Sequence, residues 1–317
     1  MTATPFDVVI ESHQRLSSAI YQIELAAADG DALPPAPAGA HLEVHLPNGL
    51  VRHYSLLDDA RHGRYRIGVL HDPASRGGSA FLAEQAGIGT RLRVSEPQDR
   101  FPLADDRQHY RLIGGGIGIT PLVAMARRLV ERGDTVEVHY LVRHRDEAAF
   151  LDELRAFLPA SQLHLHASAT QGRLAPRALL GNYAPETGVY ACGPEGLLDA
   201  LTDAAQAWPP GTLQMERFRG ASQAPAARTT PCRIELARSD MQFTLAEDET
   251  LLDGLARAGA APDSLCCEGA CGTCGIPVLE GEVEHRDVLQ SDAEKAANDI
   301  IYVCVSRPKG ERLVLDL

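Results

Sequence analysis

Basic residues are in short supply in this chain: 30 Lys plus Arg stand against 43 Asp plus Glu, a net charge of −13 over 317 residues. Binding a phosphate backbone requires clustered Lys and Arg, so no nucleic-acid partner is expected. Also missing is any apolar run of 18 residues, and the opening MTATPFDVVI has no basic stretch leading into an apolar one. Neither a membrane-spanning helix nor a secretory leader is therefore expected, and the anticipated setting is soluble and cytoplasmic. Internal repeats and long low-complexity tracts are absent too.

The charge deficit is uneven. Residues 231–317 carry 17 acids against 8 bases, a net of −9. Such an acidic end suits a basic protein partner, with a merely solubilising surface as the alternative. The remaining composition, 44% hydrophobic and 23% charged, is that of globular material rather than a disordered chain. Its length calls for two or three compact units, and three fit best.

Residues 6–100 hold short alternating stretches such as HLEVHL (41–46) and RYRIGVL (64–70), separated by Pro, Gly and Asn-Gly signals. This pattern reads as an antiparallel β-barrel. From Tyr110 the pattern changes to strand-like runs alternating with helical ones: a run into GGGIGITPL, a helix to about Arg132, TVEVHYLV, a helix near 147–157, QLHLHA and GVYACGP. Alternation of this kind implies a parallel, doubly wound α/β sheet. GASQAPAARTT (220–230) lacks bulky apolar side chains and reads as a linker. The expected division is 1–103, 104–220, a linker at 221–230, and 231–317. In the last unit CRIEL and QFTLA suggest a hairpin, ETLLDGLARAG a helix and ERLVLDL a final strand.

Seven cysteines in a reducing compartment point to metals or catalysis before disulfides. Cys266, Cys271 and Cys274 follow C-x4-C-x2-C, and Cys304 comes after 29 further residues. That is the plant-type [2Fe-2S] spacing, in which four thiolates converge from one tight loop and one distant segment. Gly269, Gly272 and Gly275 let the backbone fold closely around them. A zinc ribbon would require a second paired knuckle, and only Cys304 stands on the far side. Cys267 could replace Cys266 only by shortening the first spacing to x3, so Cys266 is preferred. Cys232 reads as a small buried apolar residue.

Gly114, Gly115, Gly116 and Gly118 lie between a strand and a helix, where backbone N–H groups and the helix dipole can receive a pyrophosphate. A tight structural turn would use the same glycines. YACGP at 190–194 brings Cys192, Gly193 and Pro194 to a second strand end on the same sheet edge, the edge at which such sheets bind ligands. Cys192 can still be read either as part of that site or as one more buried thiol. RHYSL (52–56) ends a strand with Arg52 and Tyr54 on one face, offering a charge and a stacking plane, and Ser55 adds a hydrogen-bonding group. SRGGSAFL (75–82) begins a helix with Arg76, Gly77, Gly78 and Ser79, a second place suited to an anion.

In this order, RHYS, RGGS, GGGIGITPL, YACGP, ERF (216–218), the cysteine loop and the ending CVSR…LVLDL resemble the phthalate dioxygenase reductase family, which includes vanillate O-demethylase reductases. The resemblance runs from about residue 6 to Leu317. It implies a ferredoxin-reductase-like barrel for FMN, an α/β domain for NADH and a C-terminal α+β β-grasp ferredoxin. It further implies that Arg52, Tyr54 and Ser55 hold the FMN, with Ser55 near the ring nitrogen that accepts hydride. Gly68, Val69 and Leu70 would line the flavin edge, Arg76, Gly77, Gly78 and Ser79 would take its phosphate, and Thr120 and Phe218 would touch the ring. His53, inside the same string, varies in the family and receives no separate role. Gly115, Gly116, Gly118, Pro121, Cys192, Gly193 and Pro194 would bind the nicotinamide nucleotide, with Ser55 and Cys192 nearest the reaction. Cys267 departs from the Glu that relatives often carry there. Arg143 and Arg145 beside Asp146 and Glu147 leave NADH and NADPH undecided, and the family preference favours NADH.

NADH gives up two electrons together and a [2Fe-2S] cluster takes one, so a carrier able to split the pair has to lie between them, as a flavin does. By resemblance the acceptor is a separately encoded Rieske-type oxygenase acting on a small aromatic, docking at the acidic end of a monomeric reductase.

Overall fold

Period-two burial sets the first sheet. In β1 (Phe6–Arg15) Val8 and Ile10 are buried, while β2 (Ile20–Ala27) contributes Ile23 and Leu25. They pair antiparallel with β3 (His41–His45), β4 (Val51–Ser55), β5 (Tyr65–Leu70) and β6 (Arg91–Val94) in the order β4-β3-β6-β1-β2-β5. A bridge from Leu56 to Ile67 joins the two outer strands, with Leu57 N donating to Arg66 O at 2.9 Å, so the sheet curls into the expected barrel. β3 is buried on both faces: Leu42 and Val44 enter the barrel core, yet His41 and Glu43 are also buried. The coordinates form a computed structural model that describes residues 5–47, 49–60, 62–73, 77–209, 211–218, 231–246, 249–264, 269, 272–287 and 289–317. Arg76, Cys266, Cys267, Cys271 and the expected linker at 221–230 lie outside them.

A helical turn, α1 (Gly78–Ala80), continues as a π-helical turn over Phe81–Gln85 and starts the expected helix at SRGGSAFL. The second sheet is entirely parallel: β7 (His109–Gly115), β8 (Thr135–Val142), β9 (Leu163–Ala167), β10 (Thr187–Cys192) and β11 (Leu213–Glu216), ordered β11-β10-β7-β8-β9. Between β7 and β8 runs α2 (Ile119–Arg132), ended by Gly133 at φ 82°. The helix expected near 147–157 is shorter, a 3-10 turn at Arg145–Glu147 followed by α3 (Leu151–Arg155). After β9 come α4 (Ser168–Gln171), α5 (Pro176–Leu180) and α6 (Glu195–Ala204). The chain leaves β7 in one direction for β8 and returns on the other side as β10. This is a topological switch point, which opens a crevice at the carboxyl ends of β7 and β10.

Both sheets belong to one compact unit, Met1–Phe218. Ile20, Leu57 and Phe101 share a core cluster with Leu112, Ile119 and Leu122 from the α/β part. Arg66 on β5 binds Glu153 on α3 through both guanidinium nitrogens at 3.0 and 2.7 Å, and Arg127 on α2 reaches the same carboxylate at 2.9 Å. Two cations on one half-buried carboxylate tie the barrel to the parallel sheet.

The second unit, Arg219–Leu317, builds its own core around Ile234, Leu251, Ile301 and Leu313. β12 (Cys232–Leu236) and β13 (Met241–Leu245) form the expected hairpin. α7 (Leu251–Arg257) follows, capped by Thr250, whose hydroxyl accepts from Asp253 N at 3.1 Å. Then come β14 (Gly275–Glu280), the short β15 (Val283–Glu284), α8 (Asp292–Ala297), β16 (Ile300–Tyr302), β17 (Arg307–Pro308) and the final strand β18 (Arg312–Leu315). The main sheet is mixed, β13-β12-β18-β14-β16, with only β12 and β18 parallel; β15 pairs separately with β17. With α7 packed against β13, this is the α+β, β-grasp arrangement.

Candidate functional site

The crevice is built from backbone meeting backbone. Cys192 lies in register with Gly114 across β10 and β7, so the two sequence motifs end side by side. A Cβ on Gly118 would sit 2.4 Å from the Cys192 carbonyl oxygen and 2.6 Å from Gly193 N. One on Gly115 would meet Pro194 Cδ at 2.7 Å, and one on Gly193 would meet Gly115 N at 3.0 Å. Gly116 has φ 55°, which favours glycine on its own account. The two turns therefore close against each other, and α2 and α6 both begin at the crevice with their N-termini. Pro121, buried in the first turn of α2, occupies a place where proline leaves no useful donor unmade. Pre-oriented N–H groups with room for close approach are what a pyrophosphate requires, so these residues fit a dinucleotide.

Cys192 is fully buried, and burial, helped by Glu216, pushes its thiol well above the usual range. It is held as a thiol, not a thiolate. Glu216, opposite Cys192 on β11, went unassigned in the sequence reading although it opens the ERF string. Its Oε2 is shut off from solvent without a hydrogen bond, and burial, then Asp99, pushes the carboxyl up to about 8. The available signal was a lone acid at the end of the apolar strand LQME.

On the barrel side, the Arg52 side chain crosses the start of α1: a Cβ on Gly78 would meet Arg52 Nε at 2.9 Å. Gly77 has φ 94°, and Ser79 Oγ accepts from Asp72 N at 3.3 Å. The strings RHYS and GGS, over 20 residues apart, thus share one corner that offers a guanidinium and helix-start amides. That donor set fits a phosphate. Tyr54 packs on the barrel core, and Ser55, at the end of β4, is buried opposite His41. His53 stands beside His41, ring centroids 5.1 Å apart, on the sheet face away from Arg52 and Tyr54. Burial, followed by His53, lowers the His41 imidazole to about 3, so it stays neutral.

The barrel corner and the crevice meet at Gly68. A Cβ there would lie 2.7 Å from Thr120 Cγ2 and 3.0 Å from Phe150 Cζ. Thr120 is buried at the start of α2 and donates its hydroxyl to Ile117 O at 3.0 Å. Leu70 and Phe218 pack on the α/β core, whereas the Val69 side chain is fully buried inside the barrel.

In the second unit, two of the four predicted cluster ligands are described. Cys274 precedes β14, Cys304 follows β16, and their sulfurs stand 3.2 Å apart. That is too long for a disulfide of about 2.05 Å and near the roughly 3.7 Å edge of a tetrahedral metal with 2.3 Å sulfur bonds. Both thiols therefore fit one metal ion of a cluster. The turn is tight: Gly269 and Gly272 have φ 69° and 83°, and a Cβ on Gly275 would meet Tyr302 Cε1 at 2.9 Å. Cys266 and Cys271 lie outside the described residues, as does Arg76 of the barrel. Cys232 is buried in the core as expected. No helix among the described residues is long and apolar enough to cross a membrane.

Comparison with known proteins joins these regions. Residues 234–309 match the 2Fe-2S iron-sulfur cluster binding domain family. Over 315 residues the chain is 42% identical to a putative toluene-4-sulfonate monooxygenase system reductase subunit of Comamonas testosteroni, covering 98% of each chain. It is 37% identical over 312 residues to the phthalate dioxygenase reductase of Burkholderia cepacia, covering 97% of this chain and 96% of the relative. The solved structure of a phthalate dioxygenase reductase, described as a modular structure for electron transfer from pyridine nucleotides to [2Fe-2S], superposes with a TM-score of 0.78 at 35% identity, covering 99% of this chain and 98% of that one. Barrel, parallel sheet and cluster domain follow in the order its motifs announced, and the chain belongs to the phthalate dioxygenase reductase family.

Proposed function

We propose that this chain is the NADH-oxidising reductase of an oxygenase system, with FMN held by the barrel, NADH by the α/β crevice and a [2Fe-2S] cluster by Cys266, Cys271, Cys274 and Cys304. The division is 1–103, 104–220 and 231–317 about a linker. The observation that carries the reading is the meeting of three glycine-containing motifs in one unit: Gly78 under Arg52, Gly68 against Thr120, and Gly118 against Cys192. When bound, FMN would take an electron pair from NADH and release it singly, and the cluster would pass single electrons onward.

The chain's own residues have distinct tasks. Arg52, Arg76 and the amides of Gly77, Gly78 and Ser79 neutralise and orient the FMN phosphate, while Tyr54, Gly68, Val69, Leu70 and Phe218 bound its ring. Ser55 and Thr120 offer hydroxyls at the ring edge. Gly115, Gly116, Gly118, Pro121, Gly193 and Pro194 leave room for the pyrophosphate and place it on two helix starts. Cys192, uncharged and dry, excludes water from the floor of the crevice without competing as a nucleophile. Glu216, protonated near neutrality, keeps negative charge away from the nicotinamide.

The acceptor is an oxygenase encoded separately, of the Rieske type, docking on the acidic 231–317 unit of a monomeric cytoplasmic protein, and its substrate is a small aromatic acid or methoxy-aromatic. Salt should weaken that docking, since exposed charges are screened over about 10 Å at 0.1 M. Cys304→Ser in purified protein separates the route into halves. NADH-driven ferricyanide reduction should stay within about twofold of wild type, and cytochrome c reduction should fall at least ~100-fold with the cluster spectrum. If cytochrome c reduction survived loss of the cluster, the proposed exit would be wrong.

A further inference from the structure

The parallel sheet has one face on which its expected apolar pattern fails. Val136, Val138 and Tyr140 of β8 point into the core shared with α2, so by period two Glu137 and His139 occupy the opposite face. The neighbouring edge strand β9 contributes His164 and His166 to that same face, with His164 in register with His139. Three imidazoles lie there nearly parallel: His139 is 4.9 Å from His164 and 5.4 Å from His166, centroid to centroid.

The polar atoms of this group converge. Nε2 of His139 and Nε2 of His164 stand 3.2 and 3.1 Å from the same oxygen, Oε1 of Glu137. Across a tetrahedral site with metal–ligand bonds of 2.0–2.1 Å, neighbouring ligand atoms lie about 3.3 Å apart. Oε1 is left for this purpose because Arg111 holds the other oxygen, Oε2, with Nε at 2.9 Å and Nη2 at 2.7 Å. Arg111 is itself fixed by the Leu180 carbonyl. Nε2 of His139 is sealed from solvent and makes no well-angled hydrogen bond, even with the carboxylate so near. Its second nitrogen, Nδ1, meets Nε2 of His166 at 3.2 Å, the outer contact that orients a ligating imidazole. His164 and Glu137 remain about one third exposed, which leaves a path for an ion and room for water as a further ligand.

We propose that Glu137, His139 and His164 form a binding site for one divalent borderline metal ion of the Zn2+ class, with His166 orienting His139. Two imidazoles and a carboxylate suit Zn2+ or Cu2+ and disfavour Mg2+ and Ca2+, which take oxygen shells. The ion would clamp edge strand β9 to β8, independently of the cysteine loop.

The test is equilibrium dialysis of full-length, iron-replete protein against Zn2+ with elemental analysis, iron serving as the internal control. One Zn2+ per chain should bind wild type at unchanged iron content, and His164→Gln and Glu137→Gln should each weaken binding at least ~10-fold. His166→Gln should weaken it less. These residues take no part in the electron route, so NADH–ferricyanide turnover serves as the folding control. Cu2+ added to the oxidised protein should show EPR splitting from two imidazole nitrogens, reduced to one in His164→Gln. Equal Zn2+ affinity in wild type and His164→Gln would overturn the site, as would zinc uptake matched by iron loss, which would place the metal in the cysteine loop.

Discussion

Cys192 and the Cys274–Cys304 pair present the same side chain in opposite settings. Cys192 sits at the carboxyl end of a central parallel strand, fully buried, beside a carboxyl that is itself largely protonated. Everything near it suppresses charge. Cys274 and Cys304 instead face each other at 3.2 Å at the ends of two antiparallel strands, within residues 231–317, whose net charge is −9. A thiolate is the ligand form, so a metal bound between them would displace their protons. A cysteine's setting is decided by its neighbours: one is buried at the end of a strand beside a carboxyl, and the other two stand close enough to fit one metal ion.

The largest way to break this comparison is steric. Gly118→Ala would drive a Cβ into the Cys192 carbonyl at 2.4 Å, and overpacking of this kind costs about 1–3 kcal/mol or more. NADH kcat/KM should fall at least ~10-fold, while the cluster spectrum in the other unit is unchanged. An unaltered kcat/KM would show that the two glycine turns do not need their close approach.

A smaller effect should come from Glu216. Its folded carboxyl titrates at about 8 against an ordinary 4.5, so between those pH values the folded state holds a proton that the unfolded state has released. Stability must therefore fall as pH rises through that window and level off above it. At about 1.36 kcal/mol per pH unit the contribution is a few kcal/mol, and Glu216→Gln should remove it. Denaturant unfolding at pH 5.5 and 8.5 checks this: the loss from the lower to the higher pH should be smaller in the variant. An equal loss in both proteins would mean that Glu216 is solvated.

The cysteine spacing and the glycine strings were legible in the sequence because each encodes its geometry over a few residues. Barrel and parallel sheet were legible from changes in periodicity. The start of the helix expected near 147–157 was not, since Phe150 turns inward against Gly68 before α3 begins at Leu151. Glu216 beside Cys192, and His139 beside His164, depend on strand register between segments over 20 residues apart. Spacing along the chain carries no trace of that pairing. His41 looked like the polar half of an alternating strand, yet both faces of β3 are covered.

On the proposed route, electrons enter at the crevice beside Cys192 and leave through a cluster bound by Cys274 and Cys304. Anaerobic EPR after adding one equivalent of NADH to the full-length, cofactor-loaded protein tests it most directly. Wild type should show bleaching of the flavin band together with the signal of a reduced [2Fe-2S] cluster, and Cys274→Ser bleaching without that signal. A wild-type protein whose flavin bleaches while its cluster stays oxidised and EPR-silent would contradict it.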